Sequence, residues 1–154
     1  MDPHQPSTIH TRFAPNATYH GLPESIAAVA SAIAELDSDT VGVIGFSQGG
    51  ALATHLCMLA EAKRAPFTRI SFCILFGSLA FSSADFPNPP SPLLLPSLHF
   101  SGSNDTSNPP DKNLECFEHF SPQTSLFHSF AGGHVVPQNN EIAQTIHTFV
   151  HTKL

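Results

Sequence analysis

The chain has 154 residues, long enough for one domain with its own hydrophobic core. Hydrophobic residues make up 41% and mean hydropathy is +0.01, which excludes a disordered composition, while a formal charge of −6 with six Lys and Arg argues against nucleic acid or an anionic membrane as partner. No apolar run approaches a membrane span, the start of the chain does not read as a signal peptide, and Cys57, Cys73 and Cys116 lack C-x-x-C spacing, so free thiols in a cytosolic protein are expected.

Residues 1–18 carry three prolines and no periodicity and read as an extended leader. A helix opens at Tyr19–Ser25, where Pro23 suits the first turn and Glu24 its positive end, with Ile26, Val29, Ile33 and Leu36 on one apolar face. Asp37–Asp39 breaks it ahead of a β-branched strand, Val41 to Ile44, and a helix follows over Ala51–Ala60. Thr68–Phe76 is a near-continuous apolar run of the kind a parallel strand covered on both faces shows. Residues 80–96, rich in Pro and Ser, fit no regular element and read as a long loop or lid. Ser97–Ser101 is a short third strand and Thr124–Phe130 a fourth, with a helix between them starting at Pro109 or Pro110 and running through Leu114, Phe117 and Phe120. The last helix spans about 138–152, with Ile142, Ile146, Phe149 and Val150 on one face. Strand and helix alternate without an internal repeat, which means a parallel α/β sheet of about four strands with flanking helices.

Between the Val41 strand and its helix lies Gly45-Phe46-Ser47-Gln48-Gly49, a G-x-S-x-G in the strand–turn–helix setting that a nucleophile elbow requires. The glycines two residues either side of Ser47 allow backbones to approach closely, and the turn holds Ser47 in a strained conformation. The backbone N–H of Gln48 then faces the place where an oxyanion would form, at a positive helix N-terminus. The plainer reading is a strand-to-helix turn that happens to hold a serine.

Asp105 and His134 also follow strands directly. In open parallel sheets the chemistry lies beyond the carboxyl ends of the strands. The chain order Ser47, Asp105, His134 is the order of an α/β-hydrolase triad, in which an imidazole takes the serine proton and a carboxylate fixes the imidazole's tautomer. Taken singly, Asp105 in Gly-Ser-Asn-Asp-Thr reads as a turn former, and His134 as a loop histidine. Asp85 and Asp111 are the rival acids, both farther from a strand end. The ten histidines form no H-E-x-x-H or Cys/His cluster, so no metal is expected; His147 and His151 share a face of the last helix as surface residues.

With these residues assembled, the sequence resembles the FSH-type serine hydrolases, a branch of the α/β-hydrolases. The resemblance rests on Tyr19-x-Gly-Leu-x-Glu-Ser-Ile26, Gly45-Phe-Ser-Gln-Gly-Gly-Ala-Leu-Ala53, Phe72-x-Ile-Leu-Phe-Gly77, Leu98-His-Phe-x-Gly102 with Asp105, and Gly132-Gly-His-x-Val-Pro137, over roughly residues 19–150. It implies Ser47 as nucleophile, Asp105 as triad acid, His134 as base, and hydrolysis of carboxylic esters or thioesters with no cofactor beyond water. Some relatives act beside polyketide synthases in secondary metabolism, releasing or trimming the acyl product, which implies a small or medium acyl substrate. The family opens with a strand, a His-Gly type loop, a helix and a second strand that residues 1–18 do not match. The resemblance therefore implies a truncated α/β-hydrolase, with Gln48 as the one nameable oxyanion donor and the Val41 strand left at a sheet edge with an apolar flank. A second copy or a partner chain at that edge, or a catalytically weak binding and assembly module, are the corresponding alternatives to an active enzyme.

Overall fold

The computed structural model describes residues 19–80 and 87–153. The leader reading for residues 1–18, and residues 81–86 of the Pro-rich stretch, lie outside the described residues. Helix α1 spans Leu22–Glu35, and strand β1 (Val41–Phe46) runs through the turn at Ser47 into α2 (Gln48–Glu61). A 3-10 turn at Phe67–Arg69 takes the first residues of the expected Thr68 strand, so β2 is Ile70–Phe76. Then come β3 (Ser97–Gly102), α3 (Pro110–Phe117), β4 (Ser125–Phe130) and α4 (Asn140–His151). The four strands form one sheet in the order β1-β2-β3-β4, and every neighbouring pair is parallel.

Two apolar layers clamp the sheet. On one face Ile33 of α1, Ala53 and Leu56 of α2 and Cys116 of α3 pack with Cys73 and Leu75 of β2. On the other, Ile142 and Phe149 of α4 pack on Phe72, Ile74 and Phe76 of β2 and Leu98 and Phe100 of β3. The central strands are thus covered on both sides, which is why β2 reads as an unbroken apolar run. Strand β3 alternates instead. Leu98 and Phe100 point to α4, while Ser97, His99 and Ser101 are buried with no apolar signal in the sequence. Ser97 Oγ sits 2.8 Å from His99 Nε2 and 2.8 Å from Ser125 Oγ, so these three satisfy one another, while Ser101 Oγ has no hydrogen-bond partner among the described residues.

Two helix expectations are corrected, the apolar facing of Leu36 and the reach of the third helix to Phe120. Leu36 is the C-cap of α1, with extended backbone, and is 52% exposed, because leaving the helix turns its side chain off the apolar face. Leu114 is on α3 but exposed, and Phe120 lies beyond the end of that helix, buried where Leu93 bridges to it. Leu93 and Leu95 both join the core, and Leu95 N–H donates to Glu61 Oε1 at 2.7 Å. Arg69 ties the α1 end to the sheet, donating to the carbonyls of Ile33 and Leu36, each at 2.6 Å, and of Ser38. All three cysteines are free and buried. Among the described residues, β1 is an edge strand, and Ile44 and Phe46 on its far face are exposed. No helix among those residues is long and apolar enough to cross a membrane.

Candidate active site

Ser47 stands at the C-terminal end of β1 and is the N-cap of α2, with φ 55° and ψ −122°. A residue with a Cβ rarely adopts that conformation, and here it lifts the side chain clear of both elements. Its backbone N–H donates to the Phe76 carbonyl at 2.9 Å, anchoring the turn to the end of β2. The close approach needs glycine at 45, where a Cβ would lie 2.5 Å from the Gly49 carbonyl oxygen. The expectation for Gly49 is corrected: a Cβ there meets nothing within 4 Å. The tight contact falls one residue later, where a Cβ on Gly50 would lie 1.4 Å from Ser78 Oγ. Gln48 is the first residue of α2, so its N–H is one of the donors that a helix start leaves without an intrahelical partner. This is the group an oxyanion would meet.

Asp105 follows β3 and is 3% exposed. Its Oδ1 accepts from the N–H groups of Ser107 (2.9 Å) and Asn108 (2.8 Å), and its Oδ2 lies 2.7 Å from His134 Nδ1. A carboxylate oxygen accepts, so Nδ1 carries the proton and Nε2 is the nitrogen left for another partner; no hydrogen bond joins it to Ser47 Oγ among the described residues. The two loops carrying this pair are zipped together: Ser103 N–H donates to Phe130 O at 2.9 Å and Asn104 N–H to Gly132 O at 2.8 Å. A Cβ on Gly102 would lie 2.4 Å from the Gly133 carbonyl oxygen, so the approach depends on glycine. Phe46, the residue before Ser47, lays its ring on His134 with centroids 4.6 Å apart. Of the rival acids, Asp111 is exposed in the first turn of α3, and Asp85 lies outside the described residues.

The sequence reading gives no role to three residues at this site. Gly77 has φ 51°, and a Cβ there would come within 3.1 Å of His134 Nδ1 and 3.3 Å of Asp105 Oδ2. Phe46 is a free position of G-x-S-x-G. Asn108, 1% exposed, donates from Nδ2 to the Gly77 carbonyl (2.6 Å) and to Ser47 Oγ (3.3 Å). A hint for Asn108 was present in its place three residues after Asp105, just before Pro109. A groove of about 290 Å³ opens beside the α2 start, lined by Tyr19, His20, Leu22, Gln48, Gly49 and Leu52 among others. No group of three or more metal-ligating side chains exists among the described residues. His147 and His151 stack on the exposed side of α4, with centroids 4.0 Å apart.

A parallel sheet with helices on both faces, a serine on a strained strand-to-helix turn and an Asp–His pair at neighbouring strand ends define the α/β-hydrolase class. Solved structures agree on the fold. Zea mays acyl-protein thioesterase 2 superposes with a TM-score of 0.67 at 20% identity, covering 90% of this chain and 67% of that one. A putative YdeN-like hydrolase from Pectobacterium atrosepticum gives 0.68 at 17% identity, covering 90% and 74%. The chain belongs to the serine hydrolase (FSH1) family, whose pattern matches residues 3–146 and so begins well ahead of the Tyr19 motif. It is 36% identical over 133 residues to Esterase OVCA2 of Danio rerio, covering 84% of this chain and 57% of that protein. The Homo sapiens Esterase OVCA2 is 35% identical over 123 residues, covering 79% and 53%. The chain thus spans little more than half the length of these relatives.

Proposed function

We propose that the protein hydrolyses carboxylic esters or thioesters through an acyl-enzyme on Ser47, with His134 as general base and Asp105 as its orienting acid. The observation that carries this reading is the 2.7 Å Asp105–His134 contact, supported by the ring of Phe46, the residue before Ser47, whose centroid lies 4.6 Å from that of His134. In the first half-reaction Ser47 Oγ attacks the substrate carbonyl carbon while its proton passes to His134 Nε2. The tetrahedral oxyanion forms against the Gln48 N–H. Collapse breaks the carbonyl–oxygen or carbonyl–sulfur bond, and His134 returns the proton to the departing alcohol or thiol. Water, deprotonated by the same Nε2, then attacks the acyl carbon and releases the acid and free Ser47.

The naming of relatives as esterases, and of a structural neighbour as an acyl-protein thioesterase, supports an ester or thioester as substrate. A small or medium acyl chain is the substrate class we favour, and the groove of about 290 Å³ beside Gln48 adjoins the Ser47 turn through Gln48 and Gly49. Three free, buried thiols support a reducing compartment, the cytosol. The second reading, a hydrolase-like binding or assembly module, draws on the exposed Ile44 of the β1 edge.

Labelling with a fluorophosphonate probe, read by intact mass, separates the two. The wild type is expected to take one adduct, and Ser47→Ala none while remaining folded by circular dichroism. An unlabelled wild type that is folded overturns the catalytic reading and favours the binding module; an adduct on Ser47→Ala moves the nucleophile elsewhere.

A further inference from the structure

We infer that Asn108 is a further catalytic residue, whose side-chain amide donates to the nucleophile and directs the Ser47 proton toward His134; this rests on the proposed triad. The Gly77 carbonyl can only accept, so the Asn108 atom 2.6 Å from it is Nδ2, and the amide orientation is chemically determined. With one Nδ2 hydrogen held there, the other points at Ser47 Oγ, 3.3 Å away. That distance is at the long end for a ground-state bond, and it shortens as charge grows on Oγ.

Two hydrogen-bonded pairs, Asn108–Ser47 and His134–Asp105, flank the step in which the Ser47 proton would move, and no hydrogen bond joins Ser47 to His134 among the described residues. Because Oγ accepts from Asn108, its own hydrogen is left to donate, and His134 Nε2 is the acceptor that the proposed reaction needs. His134 Nδ1–H donates to Asp105 Oδ2, and Asp105 Oδ1 accepts from the backbone N–H of Asn108 itself. One residue thereby serves both ends of the triad, the nucleophile by its side chain and the acid by its main chain. Its carbonyl accepts from Asn113 Nδ2 at 2.9 Å, which holds it against α3.

The bond to the Gly77 carbonyl is a structural role, and it leaves the second Nδ2 hydrogen to be accounted for. Asn108 is almost wholly buried, yet its Oδ1 has no hydrogen-bond partner among the described residues. An unpaired buried amide oxygen is destabilising, and an apolar side chain of the same shape would avoid it. What asparagine adds over leucine at this position is the Nδ2 donor, and one of its two hydrogens faces the reacting atom.

The test compares wild type, Asn108→Leu and Asn108→Asp, with p-nitrophenyl ester turnover and fluorophosphonate labelling measured across pH. Asn108→Leu keeps the shape and the backbone N–H to Asp105 but removes the donor to Ser47 together with the bond to the Gly77 carbonyl, so a role confined to Gly77 would show as lost stability with kcat unchanged. The leucine variant is expected to lower kcat about tenfold, the worth of one neutral hydrogen bond, with KM and the pH midpoint unchanged because His134 and Asp105 stay paired. Asn108→Asp replaces the donor with an acceptor that competes for the Ser47 proton, and should be slower than the leucine variant. A leucine variant as fast as wild type overturns the inference, and so does a slow one whose pH midpoint has moved, since that marks a displaced Asp105. A wild type that takes no probe fails the triad reading instead. A measurement independent of folding at position 108 is the NMR shift of the assigned Asn108 side-chain amide in wild type and Ser47→Ala. One of its two protons should move upfield on loss of Oγ; two unmoved protons overturn the bond.

Discussion

Ser47 holds a backbone conformation that suits glycine better than serine, and it is kept there by the Phe76 carbonyl and by the absence of a Cβ at Gly45 and Gly50. Strain of this kind is worth about 1–3 kcal/mol, partly offset in a glycine variant by the greater freedom of its unfolded chain. Ser47→Gly is therefore expected to be inactive yet more stable than wild type by about 1 kcal/mol. Urea unfolding of both proteins checks this, and a destabilised glycine variant would mean the Ser47 hydroxyl contributes more to folding than its strained backbone costs. In Asn108, one Nδ2 hydrogen satisfies the buried Gly77 carbonyl, while the other faces Ser47 Oγ.

At the scale of elements, each candidate residue is placed by the way a strand ends. Strand β1 stops at the Ser47 turn, β3 opens into a loop whose N–H groups converge on Asp105 Oδ1, and β4 is followed by the Gly132–Gly133 approach to Gly102. The return path from His134 to the core depends on α4, whose start is capped by Asn139 Oδ1 accepting from Ile142 N–H at 2.9 Å. Asn139→Ala is expected to cost about 1 kcal/mol, the usual worth of such a cap. Chemical denaturation measures the loss, and because Ile142 packs on Phe100, amide exchange should quicken in α4 first.

For the whole molecule, burial of imidazoles links stability to pH. His99 lies in the core against the edges of Phe117 and Phe120, and burial pushes its pKa down to about 3. Burial lowers the pKa of His55 as well, and of His119 despite the opposing charges of Glu118 and Glu115. The unfolded chain takes up protons at these sites from about pH 6.5 downward and the folded chain only at lower pH, so stability is complete above that pH and falls as pH drops toward the folded values. Between about pH 7.5 and pH 5 the His99 contribution should fall by about 2 kcal/mol. Urea titrations at the two pH values measure it. His99→Gln should lose less over the same interval, and an equal loss would place the linkage elsewhere.

The order of strands and helices, the parallel sheet and the positions of Ser47, Asp105 and His134 at three strand ends are legible in the sequence because their signals are local. Hydrophobic period, Gly and Pro punctuation and a five-residue motif each act within a turn or a strand. Boundaries and facing directions were less legible: Leu36 and Leu114 sit on the right helix pattern but in the open, and Leu93 belongs to the core from within a Pro-rich stretch. Tertiary structure alone decided the rest. Asn108 reaches Ser47 across 61 positions of chain, Phe46 meets His134, and Ser97 reaches Ser125 inside the sheet. Such contacts follow from the register of parallel strands and from which glycines lack a Cβ at a crossing, and no propensity of neighbouring residues encodes them.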